Sequence, residues 1–241
     1  MTRSSTQVLS TRRTVLAAAA TFTLVGGVSA AVTAPANAAT PECGEGCISV
    51  FSSELGTYAD ANFVEAVLDG GVARVGQPVG LKPASGTDPS QDFKPGAATN
   101  VMSTVSDFYA DGMVSVEANS RYGHLDAVQQ KYAPYGVETG MCVGVARVAQ
   151  GEDLTLQPCD VPGTTVWIVH PAPGGPTPDY FAIVNAATTD FDRPFAMHLP
   201  RNEVASGDPE LQMELRRLQY CTGDGTLQAR QLWGAVFGPQ G

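Results

Sequence analysis

Three histidines, five cysteines and 24 acidic residues could carry chemistry in this chain, and their spacing decides which chemistry is open to them. His124, His170 and His198 are scattered. None belongs to an HExxH, GxSxG or phosphate-loop pattern, so the local signals of zinc hydrolysis, serine hydrolysis and nucleotide chemistry are missing. Gly123-His124-Leu125-Asp126 is the one short His/Asp grouping, and a triad around it could arise only by assembly in space. Glycoside hydrolysis needs two carboxylates at a set separation, which residue order does not display. We therefore expect a non-catalytic protein that uses no cofactor and no metal, with a small secreted hydrolase as the weakest alternative.

No histidine stands at zinc-ligand spacing from a cysteine pair, so disulfides are the expected role of the cysteines. Cys142 and Cys159 bracket a loop with turn residues at Gln150-Gly151, which suits a bridge across the two arms of a hairpin. Such a closure contributes about 3 kcal/mol on the loop-entropy relation. Cys43 and Cys47 flank Gly44-Glu45-Gly46 and either close on each other, or one of them reaches Cys221.

Disulfides call for an oxidising destination, and the N-terminus reads as an export signal. Residues 1–38 contain Arg3, Arg12 and Arg13, no acidic residue, and an apolar run from Val15 to Val28 too short for a membrane span. Ala36-Asn37-Ala38 offers a cleavage site that leaves 39–241 as a single domain. Thr11-Arg12-Arg13-Thr14 is similar to a twin-arginine signal; an ordinary export signal is the alternative. Loss of the three arginines makes the formal charge of -10 more negative still. Clustered cations are what phosphate-backbone binding draws on, so nucleic acid is not an expected partner. After the signal no apolar stretch is long enough to enter a bilayer, so we expect a secreted protein with no membrane attachment.

The segments that would position any site are short, β-branched and punctuated by Gly, Pro, Asp and Asn, which predicts an all-β domain. Strands are expected at 47–51, 63–68, 79–81, 112–117, 141–145, 154–157, 165–169, 180–184, 195–199 and 232–237. Leu211, Met213 and Leu215 alternate with polar residues as a strand would, although Asp208-Pro209 could also start a helix there. The stretches 84–95 and 171–178 are expected to be Pro/Gly-rich surface loops.

Three segments end in a large aromatic: Gln91-Asp92-Phe93, Thr165-Val166-Trp167 and Gln231-Leu232-Trp233. Their comparable spacing marks one block per repeat of a threefold architecture. Gly140-Met141-Cys142-Val143-Gly144-Val145, then Leu154-Thr155-Leu156-Gln157-Pro158-Cys159, then Thr165-Val166-Trp167-Ile168, resembles a repeat of the ricin-B-type β-trefoil lectins. Val67-Leu68-Asp69-Gly70-Gly71 with Gln91-Asp92-Phe93 resembles a cysteine-free copy, and Phe195-Ala196-Met197 with Gln231-Leu232-Trp233 a more divergent one. The resemblance implies a β-trefoil with repeats at roughly 46–95, 110–170 and 178–238, in which Phe93, Trp167 and Trp233 are core residues.

In the resembled family a carboxylate, an exposed aromatic and an Asn-Gln pair hold the sugar. The resemblance puts Asp69 in the carboxylate position and Gln91 at the end of repeat one, with Lys82 near the stacking position. The same alignment puts Gly144 and Met197 in the carboxylate positions of repeats two and three. A millimolar sugar site has only about 4 kcal/mol of binding free energy. Hydrogen bonds to a charged partner contribute roughly 1.5–3 kcal/mol each, so loss of the carboxylate removes most of it. The expected function is a secreted binding module, with weak affinity for extracellular or cell-wall polysaccharide through Asp69 and Gln91. The alternative is a protein-interaction or inhibitor trefoil that recognises a protein partner through its loops.

Overall fold

The computed structural model describes residues 43, 46–96, 103–171, 180–221 and 223–237. The expected export signal and its twin-arginine-like stretch lie outside the described residues, as does nearly all of the expected 171–178 loop. In chain order the first elements are β1 (Ile48–Ser52), β2 (Gly56–Thr57), β3 (Asp60–Ala61), β4 (Phe63–Val67), β5 (Val79–Pro83) and β6 (Phe93–Pro95). Then come β7 (Ser103–Thr104), α1 (Val105–Ala110), α2 (Val116–Tyr122), β8 (Asp126–Val128), β9 (Gln130–Tyr132), β10 (Met141–Gly144), β11 (Thr155–Pro158) and β12 (Trp167–Pro171). The last are β13 (Phe181–Asn185), β14 (Phe195–His198), α3 (Arg201–Ser206), β15 (Leu211–Gln212), β16 (Glu214–Arg217) and β17 (Trp233–Phe237).

Six antiparallel strand positions close a ring. β1 pairs with β6 at Ile48↔Phe93, and β6 pairs with β9 at Phe93↔Tyr132. β9 and β8 flank Gln129 as one interrupted strand, and β8 pairs with β12 at Val128↔Trp167. β12 pairs with β13, β13 with β17 at Phe181↔Trp233, and β17 returns to β1. The hairpins β4–β5, β10–β11 and β14–β16 cap this barrel. They meet through a cycle of backbone bonds: Val79 N–H donates to Leu154 O at 2.9 Å, Leu154 N–H to Met213 O at 2.9 Å, and Met213 N–H to Val79 O at 3.5 Å. A six-stranded barrel closed by three hairpins about a pseudo-threefold axis is a β-trefoil, and this is the fold of the chain.

The cycle also fixes which residues correspond. Counting along each hairpin from Val79, Leu154 and Met213 makes Glu65, Val143 and Met197 equivalent, and likewise Ala66, Gly144 and His198. Barrel and cap share one core that includes Ile48, Val50, Leu81, Phe93, Val128, Val143, Trp167, Ile183, Met197, Leu215 and Trp233. Trp167 donates its indole N–H to Val143 O at 2.9 Å, and Trp233 donates to Met197 O at 3.2 Å. In repeat one the aromatic is Phe93, which has no N–H to give.

Two polar side chains interrupt this core. Glu65 stands where the other repeats have Val143 and Met197, and Gln130 pairs with Pro95 in the barrel place that Val50 and Ile183 take elsewhere. Both are buried and their side-chain polar atoms have no hydrogen-bond partner among the described residues. Burial without a partner disfavours the charged form and pushes the Glu65 carboxyl up to about 8.

The strand expected at 112–117 is not formed; α2 begins there at Val116. It belongs to a helical insertion between repeats one and two whose signals are its caps. Thr104 and Asp107 make a capping box at the start of α1, and the Ser115 hydroxyl accepts the Ala118 N–H at the start of α2. The pair buries Val105, Phe108, Ala118 and Tyr122 with Ala127, Ile168, Ala182 and Val184 in a second cluster. Trp167 and Ile168 are neighbours that belong to different clusters, so this part of the barrel is apolar on both faces. The barrel strand of repeat two consequently starts at Asp126, after the insertion. Leu211–Gln212 and Glu214–Arg217 are strands, and the nearby helix α3 precedes Asp208-Pro209.

Candidate functional site

Each repeat ends in a 3-10 turn or its counterpart just before the core aromatic, and this turn rests against the repeat's own hairpin. Gln91 is fully buried in it: its Oε1 accepts the Ser85 N–H at 2.9 Å and its Nε2 donates to Pro83 O at 2.8 Å. Gln231 repeats the arrangement with the Gln219 N–H and Arg217 O. In repeat two the place belongs to Thr165, whose hydroxyl donates to Val161 O and accepts from Gln129 Nε2, which also donates to Cys159 O. The Gln91 amide is therefore bonded within the fold, and the polar group that precedes it, Ser90, lies closer to the rim.

The hairpin register moves the carboxylate position. Gly144 is level with Ala66 and His198, whereas Asp69 lies three residues further on, in the turn after β4. The alignment of Asp69 with Gly144 and Met197 is corrected accordingly, because strand pairing and not residue spelling sets equivalence. Asp69 is exposed and has φ 49, in the left-handed region.

This turn nevertheless reaches the same rim. The Tyr132 hydroxyl donates to Gly71 O at 2.7 Å, and a Cβ at Gly71 would stand 3.1 Å from Ser90 Cβ. The Asp69 N–H donates to Glu210 Oε2 at 3.2 Å. Lys82 Nζ lies 2.8 Å from Asp88, 3.7 Å from Glu210 and 3.3 Å from Ser90 Oγ. Burial works against ionisation of Asp88, but bonds from Lys82 and Ser90 outweigh it and hold the carboxyl below its ordinary value. The result is a polar cluster in which Asp69 is exposed, Lys82, Asp88 and Glu210 are partly exposed and Ser90 is buried.

An aromatic that sequence reasoning missed borders this cluster. Tyr135 sits in the 134–136 turn, which packs against the 89–91 turn, and its side chain is 58% exposed. It has φ 55, and its backbone N–H donates to the buried Asp92 carboxylate at 2.8 Å. An exposed non-glycine residue held in the left-handed region costs free energy that ordinary surface turns avoid. Burial first, then the nearby Asp88, Asp92 and Tyr135, pushes the Tyr132 hydroxyl up to about 12, so it stays a neutral donor. The only sequence signal for Tyr135 was Pro134-Tyr135-Gly136, a turn whose aromatic has no core to enter.

The other rims differ in chemistry. In repeat two, a Cβ at Gly144 would come within 2.9 Å of Thr165 Cγ2, 3.0 Å of Thr164 O and 3.2 Å of Gln157 Cγ, so the rim there is closed by neutral side chains. The corresponding residues of repeat three are His198, Arg216 and Arg230.

His124 and Asp126 line one shallow pocket with Val169, Tyr180 and Phe181. His124 and His170 meet in a neighbouring cavity of about 460 Å3 with Arg121, Tyr122, Asp192 and Tyr220. Burial lowers the His170 imidazole below its ordinary value. The described residues contain no group of three or more His, Cys, Asp or Glu side chains able to hold a metal ion. Cys142–Cys159 and Cys43–Cys47 are disulfides, and Cys221 is an exposed free thiol. The first bridge crosses the β10–β11 hairpin, and the stretch 84–95 is the turn and barrel strand that carry Gln91 and Phe93. Among the described residues no helix is long and apolar enough to cross a membrane.

No family model matches the sequence, and no curated protein matches it. Three solved structures are similar in their path. The designed threefold-symmetric protein ThreeFoil is 11% identical, with 80% of this chain and 99% of that one covered and a TM-score of 0.47. A mosquitocidal holotoxin is 8% identical, with 81% of this chain and 18% of that one covered and a TM-score of 0.48. A salivary protein of the Cysteine and Tryptophan-Rich family from Culex quiquefasciatus is 14% identical, with 80% and 94% covered and a TM-score of 0.42.

Proposed function

We propose that this chain is an exported, non-catalytic binding module that holds a saccharide of extracellular or cell-wall polysaccharide at the rim of repeat one. The observation that carries the reading is Tyr135, an exposed ring braced in a strained turn beside a cluster of carboxylates, a hydroxyl and a lysine. Such a ring stacks on the apolar face of a sugar, while Asp69, Glu210 and Asp88 accept from its hydroxyls and Lys82 donates. Two disulfides support an oxidising destination for the folded protein. The site is open and half-exposed, so its affinity is expected in the millimolar range, near 4 kcal/mol of binding free energy.

The test is retention of the protein on a panel of insoluble polysaccharides together with a glycan array, with Asp69→Ala and Tyr135→Ala beside the unmodified chain. Saccharide-dependent retention that both variants lose supports the reading. Failure to bind any saccharide at high protein concentration overturns it, and capture of a protein ligand insensitive to free sugars favours the interaction module instead.

A further inference from the structure

The rim of repeat three has the same backbone as that of repeat one and opposite chemistry. His198 and Glu214 are cross-strand partners, as are Ala196 and Arg216, so all four share one face of the β14–β16 hairpin. The Leu199 N–H donates to Arg230 O at 3.0 Å, which sets Arg230 against the end of β14. Repeat two makes the same bond between Val145 and Thr164. The equivalent residues there, Gly144, Gln157 and Thr164, are in mutual reach, and Lys82 touches Ser90 in repeat one. Arg216 and Arg230 thus lie close enough to the buried His198 imidazole to act on it electrostatically.

What distinguishes this point is unmet hydrogen-bonding capacity. His198 is fully buried and neither ring nitrogen has a partner among the described residues. Arg216 Nε lies 3.3 Å from Glu214 Oε1, yet the pair is misaligned for a hydrogen bond and both atoms remain without one among the described residues. Among the described residues the Arg230 guanidinium makes one long hydrogen bond, 3.4 Å to Gln228 Oε1. Two guanidinium groups and an imidazole are the donor set that suits a carboxylate, sulfate or phosphate oxyanion.

We propose that His198, Arg216 and Arg230 form a binding site for an oxyanion, the charged group of an acidic ligand. The guanidinium groups hold the oxygens from either side, and the imidazole beneath donates an N–H. Glu214 competes for Arg216, while burial first, and then the nearby Asp153 and Glu203, raise its carboxyl. Burial first, and then Arg216 and Arg230, hold the His198 imidazole down to about 4. An anion favours the protonated form of both groups, so binding strengthens as pH falls.

The protein has three histidines, so its imidazole NMR signals can be assigned with His124→Gln and His170→Gln. Sodium sulfate, sodium phosphate and sodium glucuronate are titrated into the full folded chain at pH 5 and pH 7.5, against sodium chloride at matched ionic strength and neutral glucose. The site predicts that at least one oxyanion moves the His198 signal saturably, more tightly at pH 5, while His124 and His170 stay in place. Arg230→Gln weakens that binding by roughly tenfold or more. Which of the three ions saturates identifies the ligand group. Shifts of all three histidines that follow ionic strength alone, or no saturable shift at all, overturn the site. Polysaccharide retention through repeat one is unchanged in Arg230→Gln, so the two proposals fail separately.

Discussion

The Trp167 indole N–H donates to Val143 O across 2.9 Å, tying the last strand of repeat two to that repeat's own hairpin. Both residues are fully buried, so the bond has no water to replace it.

Trp167→Phe keeps an aromatic in the core, as Phe93 does in repeat one, but orphans the Val143 carbonyl. Loss of this bond costs about 1–3 kcal/mol, to which the smaller ring adds a packing loss. Urea unfolding of the variant measures it, and an unchanged midpoint would show that the indole bond does not hold the repeat together.

Glu65 and His198 set opposite pH dependences of stability. The Glu65 carboxyl moves from 4.5 up to about 8, so the folded state keeps a proton that the unfolded chain releases. Its contribution is complete below pH 4.5 and is lost as pH rises to about 8, at up to about 1.4 kcal/mol per pH unit. His198 moves from 6.5 down to about 4, so its contribution is complete above 6.5 and is lost as pH falls through 4. The two slopes cancel between about 4.5 and 6.5, and stability is greatest on that plateau. Glu65→Met, the residue that repeat three has in that place, removes the loss above pH 6.5 and raises stability at pH 7. Urea midpoints from pH 4 to 9 check both limbs, and a Glu65→Met curve that still falls between pH 6.5 and 8 contradicts the assignment.

The two disulfides differ in the loop they close. Cys142–Cys159 spans 17 residues and Cys43–Cys47 spans four. The loop-entropy relation gives about 3 kcal/mol for the first and about 2 kcal/mol for the second. Paired Cys→Ala variants, Cys142/Cys159 against Cys43/Cys47, are expected to rank in that order in thermal unfolding.

Tyr135→Gly separates binding from stability. Glycine adopts the left-handed backbone at this position without the strain of a Cβ, which is worth roughly 1 kcal/mol. The variant is expected to match or exceed the parent in stability while losing saccharide retention. A variant that is destabilised by more than this would mean the Tyr135 ring packs as structure.

The threefold blocks were legible because a core aromatic must recur once per repeat, and alternation placed most hairpin strands within a residue or two. The insertion helices were not, since each has fewer than eight residues and its signals are the caps at Thr104 and Ser115. The short barrel strands Phe93–Pro95 and Gln130–Tyr132 offer too few residues for a period, and only ring closure defines them.

The site residues divide along the same line. The resemblance of the three blocks marked Phe93, Trp167 and Trp233 as core residues, while sequence alone determined that the chain is acidic and that Cys142 and Cys159 lie at the ends of one hairpin. Those properties depend on composition and local spacing. Tertiary structure decided that Gln91 faces inward onto Pro83 and Ser85, that Asp69 lies beyond the register of Gly144, and that Tyr135 joins the rim of repeat one. It also put His198 on the hairpin face that carries Arg216 and brought Arg230 against the end of β14. Each of these depends on pairings between strands far apart in the chain, where a shift of a few residues changes which side chains meet without changing any local pattern.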